Sequence, residues 1–364
     1  MPAPGQLLII GFDGVEMTAR LRSLLIRVQP AGVILFARNL KSTGQTWRLL
    51  RECRKCVRTP LFTCVDLEGG NVDRFREVLG PTPSAADLFA TGDRALFRKH
   101  GEIVGANCRA LGFNVDFAPV LDLAGKASKT VLGSRAVSAD PRKAAAYARD
   151  FLIGLNEQRV LGSGKHFPGL GEGNLDSHHE LPVIEKPLRK LWREDLLPYR
   201  MLRKQMPFVM VSHAAYPLVT RDRTPASLSQ TWISGILRKR IGYRNLIVSD
   251  DLEMGGVLGA ASVGEAAVRF VRAGGDLCLV CHREDRVVEA YEALAKAAER
   301  DQKFQQRMQA AARNVLAFKK KWNRLLRASS APSPAGVEKL TRRLWEFSEQ
   351  VRLEALSRQS DRRA

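Results

Sequence analysis

Short runs of Val, Ile, Leu and Phe alternate along the chain with longer stretches whose apolar residues recur every three to four positions. The short runs predict strands at Leu7–Gly14, Gly32–Ala37, Leu61–Asp66, Asn114–Leu121, Val160–Lys165, Phe208–Ser212, Leu246–Asp250 and Asp276–Val280. The longer stretches predict helices such as Gln45–Val57, Arg94–Ala110, Arg142–Gln158, Pro187–Lys204, Leu228–Ile241, Val263–Ala273 and Val287–Ala298. Each strand is followed by a helix-length connection. That pattern predicts an α/β fold, a single-domain (β/α)8 TIM-type barrel with extra C-terminal helices. A doubly wound open sheet has the same alternation. However, no GxGxxG motif opens a helix and no phosphate-binding P-loop is present.

The barrel accounts for residues 1–300. Beyond it, Phe304, Met308, Ala311, Val315, Phe318 and Trp322 recur at helical steps, as do Val337, Leu340, Leu344, Phe347, Val351 and Ala355. Residues 301–364 are therefore predicted to be a helical extension packed on the barrel, with a linker, ASSAPSPAG, over Ala328–Gly336. A dimer seam is the other use of such stripes, so monomer and dimer both stay open.

Composition then narrows the class. The 364 residues are 45% hydrophobic and 26% charged, a globular mix that excludes disorder throughout. Lys and Arg exceed Asp and Glu by 58 to 38, a net +20. Such an excess is the footprint of a nucleic-acid binder, and a basic nucleic-acid-binding or scaffold protein is the non-enzymatic alternative. The excess is spread, though: residues 301–364 carry +9 and the rest +11. The apolar stripes make the tail a packed element rather than a basic arm, so no nucleic-acid partner is expected. No apolar run reaches about 18 residues, so no membrane span is expected. The N-terminus shows no basic n-region and no cleavage motif, so no secretion signal is expected. The six cysteines read as reduced thiols, which suits a cytoplasmic protein. The pairs Cys53/Cys56 and Cys278/Cys281 have a zinc-like spacing. In the strand-like DLCLVC, however, residues three apart face opposite ways, which suits core packing rather than one metal.

Barrel active sites collect at the C-terminal ends of strands. There the chain offers Asp66 and then Arg74, Arg135, Lys165 with His166, His213, Asp250 with Asp251, and His282. Carboxylates and cations at successive strand ends suit the gripping of sugar hydroxyls. A retaining glycosidase needs a carboxylate nucleophile and a group that first donates a proton and later accepts one. Asp250 is the natural nucleophile. The glycine-rich loop Gly169–Pro182 offers Asp176-Ser177-His178, in which Asp176 can orient the His178 imidazole. Asp251, on the opposite face of a strand from its neighbour, is expected to be structural, and His179 to be on the surface. Asp66 could pair with Arg74. Glu68 reads equally as a supporting or a surface residue. His213 and His282 read as satisfied core histidines.

The block KHFPGLGEGNLDSHHELP resembles the signature of glycoside hydrolase family 3, in its bacterial β-N-acetylglucosaminidase branch. AGVILFARN, VDLEGGNVDRFRE, NVDFAPVLDL, GSRAVSADP and SDDLEM resemble that family's blocks in the same order, over roughly residues 8–300. The resemblance implies Asp250 as nucleophile, His178 as acid/base and Asp176 as its orienting partner. It implies that Asp66, Arg74, Arg135, Lys165 and His166 hold the sugar. It further implies a retaining mechanism with no metal and no organic cofactor, acting on terminal β-linked N-acetylglucosamine of peptidoglycan-derived muropeptides. A β-glucosidase, a xylosidase or a glycoside phosphorylase of the same family is the enzymatic alternative. The roughly 64 residues beyond the barrel are too few for a second α/β domain that could supply the acid/base. The chain departs from the family pattern at Leu170, Asn71, His179 and Glu253, which bears on aglycone preference rather than on reaction type.

Overall fold

The computed structural model describes residues 4–125, 129, 131–173 and 181–361, the last three of these by backbone alone. Eight parallel strands close into a barrel. They are β1 (Leu8–Ile10), β2 (Gly32–Ile34), β3 (Phe62–Val65), β4 (Val115–Asp116), β5 (Leu161–Phe167), β6 (Phe208–Val211), β7 (Leu246–Asp251) and β8 (Leu277–Val280). Each pairs with its neighbours in chain order, and β8 returns to β1 with Leu8 opposite Cys278 and Ile10 opposite Val280. The strands are buried on both faces, which is why they read as continuous apolar runs.

Alternation along each strand divides the apolar side chains between two cores. Ile9, Ile34, Phe62, Phe117, Phe208, Val248 and Leu279 fill the barrel interior. Leu8, Ile10, Val33, Val65, Val209, Ile247 and Val280 face outward to the helices. Cys278 belongs to the outer core and Cys281 to the inner one, so this CxxC pair is divided as strand geometry demands.

The main helices are α1 (Ala19–Val28), α2 (Thr43–Cys56), α3 (Arg94–Leu111), α4 (Pro141–Glu157), α5 (Val263–Ala273), α6 (Glu284–Arg300), α7 (Gln302–Lys321) and α8 (Pro334–Asp361). Their ends are marked in the sequence: Asp140 caps α4 ahead of a first-turn proline, and Gly112 ends α3 in a left-handed conformation. Helix α7 runs beneath the barrel and turns Val315 and Phe318 into the inner core, where Phe318 lies 5.5 Å from the Phe208 ring. Helix α8 buries Leu344, Phe347 and Val351, and Phe347 stacks on His100 of α3 at 6.0 Å. Among the described residues no helix is long and apolar enough to cross a membrane.

Three elements differ from the sequence expectation. The fourth strand is continuous over only two residues, because Pro119 offers no N–H and interrupts the ladder, which resumes as a single bridge between Val120 and Lys165. The helix expected over Pro187–Lys204 is two short ones, Leu188–Arg193 and Leu196–Leu202. The break lies where Asp195 turns inward to the buried Lys186, 2.5 Å away. The segment Thr231–Arg240 is wound with π-type bonding rather than as an α-helix.

Candidate active site

A cavity of about 300 Å³ opens at the C-terminal ends of the strands. Asp66, Glu68, Arg74, Arg135, Lys165, His166, Asp250 and Asp251 line it, with Leu170, Met210 and Met254 as its apolar wall. The elements carrying these residues explain their convergence. Lys165 and His166, joined by a cis peptide, lie in the last three residues of β5, and Asp250 is the next-to-last residue of β7. Asp66 ends β3 and leads into a small hairpin, Leu67–Gly69 with Val72–Asp73. That hairpin turns through Gly69 and Gly70, both at positive φ, a conformation glycine adopts without steric cost. It places Glu68 beneath the cavity and Arg74 across it.

Lys165 is only 2% exposed, and its ammonium lies 2.8 Å from Asp66 Oδ1 and 2.6 Å from Glu68 Oε1. Glu68 also accepts a fork of hydrogen bonds from Arg135, at 2.7 Å from Nε and 2.9 Å from Nη2. Isolated charges at this depth would be costly; paired in a closed lattice they are held in their ionised forms. Burial pushes Glu68 toward neutrality, but Arg135 and Lys165 outweigh it and hold its carboxyl far below the usual glutamate range. Burial likewise disfavours the Lys165 cation, and Asp66 and Glu68 overcome it, so the ammonium is held more firmly than usual.

His166 continues the lattice. Its Nδ1 lies 2.7 Å from Asp122 Oδ2, and its Nε2 lies 3.3 Å from Arg135 Nη2. The Asp122 carboxylate accepts only, so Nδ1 is the donor in that pair and the ring is held in one orientation. Asp122 also accepts the Leu170 N–H at 2.7 Å, which pins the root of the Gly169–Pro182 loop.

Asp250 accepts the Asp251 N–H at 2.9 Å. Burial opposes its ionisation, yet His166, His213, the Asp251 amide and Lys165 prevail and hold its carboxyl below the usual aspartate range. It is thus an ionised carboxylate at the wall of an enclosed polar cavity. Asp251 is anchored instead: its Oδ1 accepts the N–H groups of Glu253 and Cys281 at 3.1 and 3.2 Å.

The structure brings Asp66, Arg74, Arg135, Lys165, His166 and Asp250 onto one cavity. Asp176 and His178, expected as the acid/base pair, and His179 lie outside the described residues. Arg74 does not pair with Asp66, because Lys165 takes that carboxylate. Its guanidinium lies 5.5 Å from the centre of the Phe36 ring, and among the described residues its buried Nε has no partner. His213 is a satisfied core histidine, between Ser227 Oγ at 2.7 Å and the Asp251 carbonyl at 2.9 Å. His282 is not: it is half-exposed on the cavity wall, with Nε2 3.3 Å from Asp251 Oδ2. Strand alternation alone could not place it, since it lies just past the end of β8.

Two residues central to the site carried no firm sequence reading. Glu68 is the hub of the lattice, and its position in VDLEGG, two beyond Asp66 and therefore on the same face of an extended segment, was the available signal. Asp122 orients His166, and its signal was an acidic residue closing the apolar run APVLDL.

A family model described as the glycosyl hydrolase family 3 N-terminal domain matches residues 4–318. The chain is similar to a curated Beta-hexosaminidase of Idiomarina loihiensis, 36% identical over 296 residues that cover 80% of this chain and 88% of that protein. It is also similar to one of Bordetella parapertussis, 40% identical over 283 residues, covering 76% and 78%. Among solved structures it resembles a family 3 β-N-acetylglucosaminidase from Paenibacillus sp. at TM-score 0.89 and 32% identity, covering 96% of this chain and 68% of that one. It resembles native NagZ from Neisseria gonorrhoeae at TM-score 0.72 and 29% identity, covering 87% and 99%.

Proposed function

The chain belongs to glycosyl hydrolase family 3, and from that premise we propose that it is a retaining, exo-acting β-N-acetylglucosaminidase. The observation that carries the reading is the ionised Asp250 on the wall of a cavity built from interlocked cations and carboxylates. Asp250 attacks the anomeric carbon and forms a glycosyl ester while the aglycone oxygen leaves with a proton. Water then cleaves the ester and the carboxylate returns. Asp66, Arg74, Arg135, Lys165 and His166 hold the sugar over Asp250. Because Glu68 and Asp122 lock the donors before substrate arrives, little reorganisation is needed during the reaction. His178, oriented by Asp176, is the acid and then the base in this proposal, on the strength of the Asp-Ser-His motif.

The substrate proposed is terminal N-acetylglucosamine on peptidoglycan-derived muropeptides. The strong positive charge of the chain supports it, since a cationic surface attracts carboxylated fragments. The six cysteines are all free and buried, which supports a reducing, cytoplasmic setting for the reaction. The test compares turnover of an aryl β-N-acetylglucosaminide with that of the aryl β-glucoside. A preference of about a hundredfold or more for the acetamido sugar is expected; equal rates, or the reverse order, would overturn the reading.

A further inference from the structure

Every ion pair of the site described so far serves the sugar pocket, except one. His282, just past β8, reaches across to Asp251 at the end of β7, with Nε2 and Oδ2 3.3 Å apart. Its ring is stacked on Phe36, with centroids 5.4 Å apart and planes 24° from parallel. Its backbone N–H is held by Glu253 Oε2 at 2.6 Å. The imidazole is therefore held by Asp251 and Phe36, and its backbone by Glu253, while the half-exposed ring lines the cavity. Asp251 is the residue whose N–H binds Asp250 Oδ1. Two adjacent carboxylates thus stand at the site, and His282 is the one titratable cation paired with the second among the described residues.

We propose that His282 is a positioning residue for the nucleophile, one that cancels the Asp251 charge beside Asp250 when it is protonated and so speeds breakdown of the glycosyl ester. The proposal rests on the reading of Asp250 as nucleophile. In the first step Asp250 gives an electron pair to the anomeric carbon as the bond to the aglycone oxygen breaks. In the second, water oxygen bonds to that carbon, its proton goes to the base, and the C–O bond of the ester returns its electron pair to Asp250. An uncompensated Asp251 carboxylate makes Asp250 more basic. It therefore helps the first step and hinders the second, in which Asp250 is the leaving group. An imidazolium at His282 shifts that balance toward release.

The groups facing His282 are Asp251 and Glu253 from the end of β7 and Arg38 from after β2, while Arg74 lies across Phe36. The bond to Asp251 raises the histidine above its usual value, against burial and the opposing effect of Arg38. The cationic form accordingly persists to higher pH than in an unperturbed histidine and is lost as pH rises further.

The experiment is steady-state kinetics across pH on an aryl β-N-acetylglucosaminide with a good leaving group, for which release limits kcat. Wild type, His282→Gln and His282→Phe are compared, the last keeping an aromatic ring against Phe36, and thermal melting checks that each is folded. We expect kcat to fall about three- to tenfold in both variants and KM to fall with it, since the ester accumulates. The wild-type alkaline limb of kcat should vanish. That limb cannot come from an acid/base histidine, which must be deprotonated in the second step and so contributes an acidic limb. Equal losses in kcat and kcat/KM, or an unchanged pH profile in folded variants, would overturn the proposal. An Asp250→Ala control that keeps wild-type turnover overturns the functional reading itself, and this inference with it.

Discussion

Two of the buried lysines lie at opposite ends of the barrel, Lys165 and Lys319, and their surroundings are opposite. Lys165, at the C-terminal end, sits between Asp66 and Glu68, and its ammonium is held above the usual lysine range. Lys319, beneath the N-terminal end, is 1% exposed. Among the described residues it meets only neutral partners: Gln6 Oε1 at 3.1 Å, Thr59 Oγ1 at 3.2 Å and the face of Phe62 at 5.1 Å. Burial there lowers its pKa to about 7. Depth alone therefore does not decide what a buried charge does. At the C-terminal end Lys165 and Arg135 are each paired with a carboxylate, so charge is concentrated around the cavity. At the other end, packing by Val315 and Phe318 draws the helix inward, and the neighbouring Lys319 is buried with no counter-charge among the described residues.

Predictions follow from breaking each side of this contrast. The largest effect is expected at the group the lattice serves. Asp250→Ala should cost about 10⁴-fold or more in turnover, with the melting temperature nearly unchanged, measured on an aryl β-N-acetylglucosaminide. Glu68→Gln leaves Lys165 and Arg135 short of one negative charge. Denaturant unfolding should show a loss of about 3 kcal/mol, and kcat/KM should drop about a hundredfold as Lys165 and Arg135, proposed to hold the sugar, lose their positions.

At the other end the sign reverses. Lys319→Met should stabilise the protein by about 2 kcal/mol near pH 7, because removing an unpaired buried amine removes its desolvation cost. The folded amine has a pKa of about 7 against an ordinary 10.5. The unfolded chain therefore binds more protons through that window, and wild-type stability rises with pH across it. The advantage of the methionine variant should accordingly shrink from pH 7 toward pH 10. An advantage constant across that range would mean that Lys319 is not the source. Glu68 behaves in the opposite sense: its carboxyl is depressed in the folded state, so its contribution is present above its unfolded pKa and is lost as pH falls.

Much of this was legible in the chain. The eight strands were visible because strands buried on both faces need uninterrupted apolar runs, and the stripe through Phe304, Met308, Val315 and Phe318 announced α7. Asp66, Lys165, His166 and Asp250 were visible as polar residues abruptly closing such runs. The break in the helix after Arg193 was not, because Leu and Arg spacing continues through Asp195, and only the buried partner Lys186 turns it inward. Nor was the role proposed for His282, which depends on an aspartate at the end of another strand and on Phe36, just past β2.

The sequence by itself determined the elements, their order around the barrel and the end at which chemistry would collect, because hydrophobic periodicity is a local property of the chain. The tertiary structure alone decided which charges meet. Lys165 and Asp66 are 99 positions apart, and Lys319 and Gln6 are 313 apart. The energy of a buried charge depends on what lies within a few ångströms of it, and only the folded chain brings those groups together.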